Sequence, residues 1–156
     1  MRPAGRLRHQ TAVQNYFEKK PRSAEEVADP AKGENAAERS VKMYRAKENA
    51  EKESKCIRGG IGETHMTKIL NGPDEMYGKG RLFNIMTVDP GNSIGEHFHT
   101  GDNEIFYFLS GTGVYNDNGT EVRVRPGDTA VCSDGEKHSI RNDGSEPLVF
   151  VALILY

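Results

Sequence analysis

Four side chains in the second half of the sequence could hold a metal ion: His97, His99, Glu104 and His138. His97 and His99 stand two residues apart. On a strand that spacing puts both on one face, because side chains alternate with period two. On a helix it would splay them by about 200°. The composition around them favours strand: the stretch GNSIGEHFHTGDNEIFYFLSG, residues 91–111, mixes glycine turns with alternating large apolar residues. Three imidazoles and one carboxylate converging on one point would make a site for a divalent transition metal, and Fe, Mn, Ni, Cu and Zn all suit such donors. Four protein ligands leave one or two positions open on a five- or six-coordinate ion, where a small molecule or dioxygen could bind.

The elements that must position these groups are short strands. If Glu104 points inward along EIFYFL, Phe106 and Phe108 do too, while Ile105, Tyr107 and Leu109 face away. With His138 inward, Ile140 and Asn142 share its face. Asn84 and Met86, on an earlier strand, complete the expected pocket lining. Glu96 alternates away from His97 and is read as exposed, and His65 is read as surface or pocket rim. Tyr107 and Tyr115 are read as packing residues. From Arg58 onward the chain divides into eight or nine short strands with turn residues between them and no helical insertion, including a hairpin around Asn116–Thr120 with Asn-Gly as the turn signal. That pattern predicts an all-β sandwich or barrel. The last run, PLVFVALILY, has no polar residue and fits a strand covered on both faces, inside a double layer or under a partner subunit.

The 156 residues carry a formal net charge of −2, unevenly spread. Residues 1–60 hold 14 Lys and Arg against 9 Asp and Glu, and residues 61–156 hold 7 against 14. A basic, polar N-terminal extension over 1–57 and a globular domain over 58–156 are expected. The extension is weakly structured or partly helical, with short helical pieces considered around 11–20 and 36–54, the second read as a marginal surface helix or coil. Nucleic-acid binding is not expected, because aromatic interleaving is sparse and the acidic body would repel phosphate. Two cysteines, Cys56 and Cys132, make no disulfide framework, and Cys132 is read as a buried thiol. Arg2, Arg6 and Arg8 are followed by no apolar core of a secretory signal, and no stretch reaches membrane-spanning length. A cytoplasmic location is the expectation.

Gly91, His97, His99, Glu104 and Gly111 match the first cupin motif, G-x5-H-x-H-x4-E-x6-G, at every defined position. Gly127, Gly135, His138 and Asn142 match the second, G-x5-P-x-G-x2-H-x3-N, with Ser133 in place of the proline that shapes its turn. The chain thus resembles small single-domain cupins over about residues 58–156, and the stretch from Met43 is similar to the usual beginning of such proteins. The resemblance implies a jelly-roll β-barrel of two antiparallel sheets with the site inside, one divalent metal per chain, and a homodimer. It leaves residues 1–42 unexplained.

Two functions fit. One is a metalloenzyme acting on a small polar molecule, of the sugar-derived acid isomerase or lyase type or the dioxygenase type. The other is a non-catalytic module that captures or senses a small molecule through its metal. No second catalytic group stands out beside the expected ligands, so the catalytic residues are unassigned and the fold alone does not choose.

Overall fold

Among the described residues the chain forms ten strands, most with apolar residues at every second position and bounded by glycine or proline. The computed structural model describes residues 44–156. The strands are β1 (Lys52–Lys55), β2 (Thr64–Leu70), β3 (Gly80–Val88), β4 (Ser93–Phe98), β5 (Asn103–Ser110), β6 (Gly113–Asp117), β7 (Thr120–Val124), β8 (Thr129–Cys132), β9 (Lys137–Arg141) and β10 (Leu148–Leu155). They form one sheet ordered β1-β2-β3-β10-β5-β8 and a second ordered β4-β9-β6-β7, all pairs antiparallel. Short 3-10 turns at Lys47–Asn49 and Pro73–Met76 are the helical elements among the described residues. No helix there is long and apolar enough to cross a membrane.

The core lies between the sheets. Met86 and Val88 from β3, Phe106 and Phe108 from β5, and Leu148, Phe150 and Ala152 from β10 face Ile94, Tyr115, Val124 and Ile140 of the smaller sheet. Phe108 and Phe150 are 1% and 0% exposed, with ring centroids 5.5 Å apart. Burying each is worth about 1.5–3 kcal/mol. β10, expected to be covered on both faces, alternates instead, with Leu148, Phe150, Ala152 and Ile154 buried and the residues between them half-buried on the outer face.

The β6–β7 hairpin turns at Asn118 and Gly119, both with positive φ (49° and 96°). This mirror-image turn follows the twist of its strands, and Asn-Gly adopts it with least strain.

Two expectations are corrected. The segment 36–54, read as a marginal surface helix or coil, holds in its described part β1 and the Lys47–Asn49 turn. The KESK strand is fully exposed and offers no apolar stripe to dock a helix. It is held by the backbone ladder to β2 and by a chain in which Ser54 Oγ meets His65 Nδ1 at 2.7 Å and His65 Nε2 meets Asp89 Oδ2 at 3.0 Å. The sheet therefore starts inside the segment assigned to the extension. The barrel is also not closed: among the described residues no strand of one sheet pairs with a strand of the other, and core packing with a few side-chain and loop hydrogen bonds joins the layers. The helix expected over 11–20 lies outside the described residues.

Asn142 pins one end of the sandwich. Its buried amide donates to the carbonyls of Val88 and Glu146, each at 2.8 Å, and its Oδ1 accepts from Gly144 N–H at 2.9 Å. Asn142→Ala leaves those buried groups without partners and is expected to cost about 1–3 kcal/mol. Urea unfolding of the two proteins measures it, and an unchanged midpoint would contradict the role.

Candidate metal centre

The site begins with an irregularity. β4 pairs with β9 through Ile94↔Ile140 and then His97↔His138, so two residues of β4, Gly95 and Glu96, oppose the single residue Ser139. Strict alternation from buried Ile94 would turn Glu96 and Phe98 inward. The extra residue inverts the phase, so His97 turns in while Glu96 and Phe98 are exposed. Glycine is needed here for space: a Cβ on Gly95 would collide with the carbonyl of Arg58. His99 follows the end of the strand and is held by backbone bonds, its N–H to Glu136 O and its C=O from Gly135 N–H, both 2.9 Å.

The four expected ligands meet. His97, His99, Glu104 and His138 each offer one ligand atom, and these atoms lie within 4.8 Å of one another. Glu104 Oε2 stands 2.9 Å from His138 Nε2, 3.2 Å from His99 Nε2 and 3.7 Å from His97 Nε2. His138 Nε2 is 3.1 Å from Nε2 of both His97 and His99. All but His97 are buried.

The outer ring nitrogens explain why the inner ones converge. His99 Nδ1 donates to Asp102 Oδ1 at 2.7 Å and His97 Nδ1 donates to the Gly95 carbonyl at 2.9 Å. Both acceptors can only accept, so both rings carry their proton on Nδ1 and turn an Nε2 lone pair inward. Tyr115 Oη meets His138 Nδ1 at 3.0 Å. Phe106 lies nearly parallel to the His138 ring, centroids 5.2 Å apart, and supports it from the side. Donor atoms held this close to one another and to a carboxylate could hold a metal ion between them. Two atoms about 2.1 Å from one ion are about 3.0 Å apart at a right angle and about 3.4 Å apart at the tetrahedral angle. Four of the five separations given above fall at 2.9–3.2 Å, in the range two ligands of one divalent ion would occupy.

The electrostatics agree. Burial works to raise the Glu104 carboxyl, but contacts with His138, His97 and His99 outweigh it and hold the group well below the usual carboxylate range. The Glu104 contact raises His99 above the ordinary histidine value, whereas burial pushes His138 down. Burial also opposes ionisation of Asp102, but His99 and Arg81 together hold it below its ordinary value.

A cavity of about 310 Å³ opens beside the cluster. His97 and Glu104 form part of its wall with Met66, Met86, Ile94, Phe106 and Ile154, and Lys55, Cys56, Ile57, Arg58, Arg81 and Leu82 complete it. Of the six residues expected to line a pocket, Met86 and Phe106 do so. Phe108 and Ile140 are core residues. Asn84 faces inward and is buried but is not part of this wall, and Asn142 serves the sandwich end. Sequence reasoning missed Asp102 and the 55–58 segment, and it read Tyr115 as packing alone. An acidic residue three positions after His99 in a tight loop was a signal for Asp102. Nothing local marks Tyr115, because an inward tyrosine on a strand looks the same whether or not its hydroxyl finds an imidazole.

Comparison with known proteins agrees with this geometry. The sequence model of the Cupin domain family matches residues 84–154. The oxalate-binding protein of Thermotoga maritima is 44% identical over 99 residues, covering 64% of this chain and 81% of that protein. The tetracenomycin polyketide synthase protein TcmJ of Streptomyces glaucescens is 28% identical over 81 residues, 52% of this chain and 54% of that protein. The crystal structure of a predicted oxalate decarboxylase from Thermotoga maritima superimposes with a TM-score of 0.69 at 40% identity, covering 72% of this chain and 98% of that one.

Because metal must displace protons from the imidazoles, affinity for Mn(II) is expected to fall on acidification. The raised value of His99 starts that loss above the ordinary histidine value of 6.5. Tyr115→Phe and Asp102→Asn, which remove outer partners and leave every ligand in place, are each expected to weaken Mn(II) binding about 10–100-fold. Competition against a chromophoric chelator across pH 5–8 reads both effects. A flat pH profile would contradict the first, and wild-type affinity in both variants the second.

Proposed function

This chain belongs to the cupin family, and from that premise we propose that it is a metal-dependent binding protein for a small carboxylate, with oxalate the first ligand to test. The observation that carries the reading is the make-up of the cavity wall. Two candidate metal ligands share it with three cationic side chains, Lys55, Arg58 and Arg81, in a domain whose overall balance is acidic. The one carboxylate there, Glu104, is engaged with the histidines. Such a wall suits an anion with one end at the metal position and the other among cations. The name of the 44% identical relative supports the same class of ligand.

His97, His99, Glu104 and His138 would hold the metal. Three imidazoles and one carboxylate suit divalent Fe, Mn, Ni, Cu and Zn alike. The bound ion would supply Lewis acidity toward a carboxylate oxygen. The chain's own residues orient the ligand and exclude water: Met66, Met86, Ile94 and Ile154 give the cavity dry walls, and the cations admit negative charge.

A catalytic reading is kept alive by the 40% identical structure described as a predicted oxalate decarboxylase. Against it, the cavity wall holds no carboxylate or imidazole other than the candidate ligands, so proton transfer would fall to Lys55 or Cys56. Calorimetry with chelator-treated protein separates the readings. Oxalate is expected to bind only after Mn(II), and His97→Ala is expected to abolish both binding events. Release of formate or carbon dioxide would replace capture by catalysis. Absence of oxalate binding with Mn, Fe, Ni, Cu or Zn would sink the proposal.

The reading extends to assembly as a homodimer. The outer face of the larger sheet carries Phe83, Ile85, Ile105, Val151 and Leu153, half-buried, beside exposed Tyr107 and Val131. A contiguous apolar face of this kind suits a second copy. Light scattering is expected to give twice the chain mass, and Tyr107→Asp to halve it. A monomeric wild type would refute this part.

A further inference from the structure

Arg81 sits at an irregularity in β3. Leu82 pairs with Ile154 and Gly80 with Leu155, so Arg81 is an extra residue with no partner across the ladder. By alternation with buried Asn84 and Met86 it should face outward with Phe83 and Ile85. The bulge instead brings it into the cavity wall beside His97 and Glu104. Its guanidinium is divided in use. Nε donates to Asp102 Oδ2 at 2.7 Å, and the other oxygen of Asp102 accepts from His99 Nδ1, also at 2.7 Å. The two Nη groups, four N–H donors in one plane, meet no protein acceptor among the described residues. The side chain remains 37% exposed, while Asp102 is only 8% exposed. A bond to a nearly buried carboxylate fixes the plane of the fork and leaves its far edge open.

We infer that Arg81 reads the second carboxylate of a dicarboxylate whose first carboxylate lies at the metal position. This rests on the proposed metal-dependent carboxylate binding and adds the residue that distinguishes two acid groups from one. A guanidinium edge pairs with a carboxylate through two parallel hydrogen bonds, which a lysine cannot reproduce while also holding Asp102. Lys55 and Arg58 add positive charge at the cavity but have no comparable anchor on the metal ligands. Arg81 is thus a specificity-determining residue, and its bond to Asp102 positions it.

The test compares oxalate with acetate by calorimetry on Mn(II)-loaded protein, for wild type, Arg81→Lys and Arg81→Gln, with Mn(II) affinity measured separately in the absence of carboxylate. Wild type is expected to prefer oxalate. Both variants should lose about 10–100-fold in oxalate affinity, keep their acetate affinity, and so lose the preference. Arg81→Lys keeps the charge and guards against a folding defect in the neutral variant. An unchanged preference for oxalate in both variants would overturn the inference. So would a fall in Mn(II) affinity with the preference intact, since Arg81 would then act only through Asp102 and His99. If the wild type binds neither acid, the underlying reading of the site fails first and the inference with it. If it binds oxalate and the variants bind equally well, only the inference fails.

Discussion

One extra residue in β4 governs this molecule's chemistry. Because Gly95 and Glu96 together oppose Ser139, the strand changes phase between Ile94 and His97. Ile94 belongs to the core and His97 to the metal centre, and without the bulge the two could not face the same side. The Gly95 carbonyl then accepts the proton of His97 Nδ1, and the Gly95 N–H donates to Ile57 at 3.1 Å, which holds the 55–58 segment against the cavity. A local count of two residues against one thus sets a ligand's direction, its tautomer and a wall of the pocket.

The second constraint is electrostatic. Three imidazoles and a carboxylate are gathered between two apolar layers, where leaving polar groups unpaired is costly. Partners on the outer nitrogens reduce that cost and leave the inner lone pairs aimed at one point. Those partners come from three sources: the bulge carbonyl, the Asp102 loop and Tyr115 on β6. Asp102 extends the network to Arg81, so one end of the metal centre is braced by a charged pair at the cavity. The bulge in β3 resembles the bulge in β4, bringing to the cavity wall a side chain, Arg81, that alternation would send to the outer face.

Much of the fold was legible because strand alternation is a local property. EIFYFL and PLVFVALILY show in their own composition that they are strands, the inward face of EIFYFL follows once Glu104 is placed inward, and Asn-Gly marks its hairpin. The ligand set was legible for a related reason, since fixed offsets between histidines, glutamate and glycines match the cupin motifs. β1 was not legible: KESK carries no apolar residue, so its ties to the sheet are backbone pairing that any sequence can make and the Ser54–His65 contact, which no local pattern announces. Asn142 was misplaced for the opposite reason. It shares a face with His138 by alternation, yet its amide is used by Val88 and Glu146 at the sandwich end.

What the sequence by itself determined is the all-β architecture, the family and the four donor side chains, because each depends on spacing within a short stretch. What only the tertiary structure decided is which groups stand behind those donors and what shares their cavity. Tyr115 reaches His138 across 23 positions and Arg81 reaches Asp102 across 21. Such pairings depend on register, and register is set by the packing of both sheets together with bulges that shift the phase by one residue. A one-residue shift exchanges the inward and outward faces of a strand, so no local pattern could specify these partners before the sheets had closed over the core.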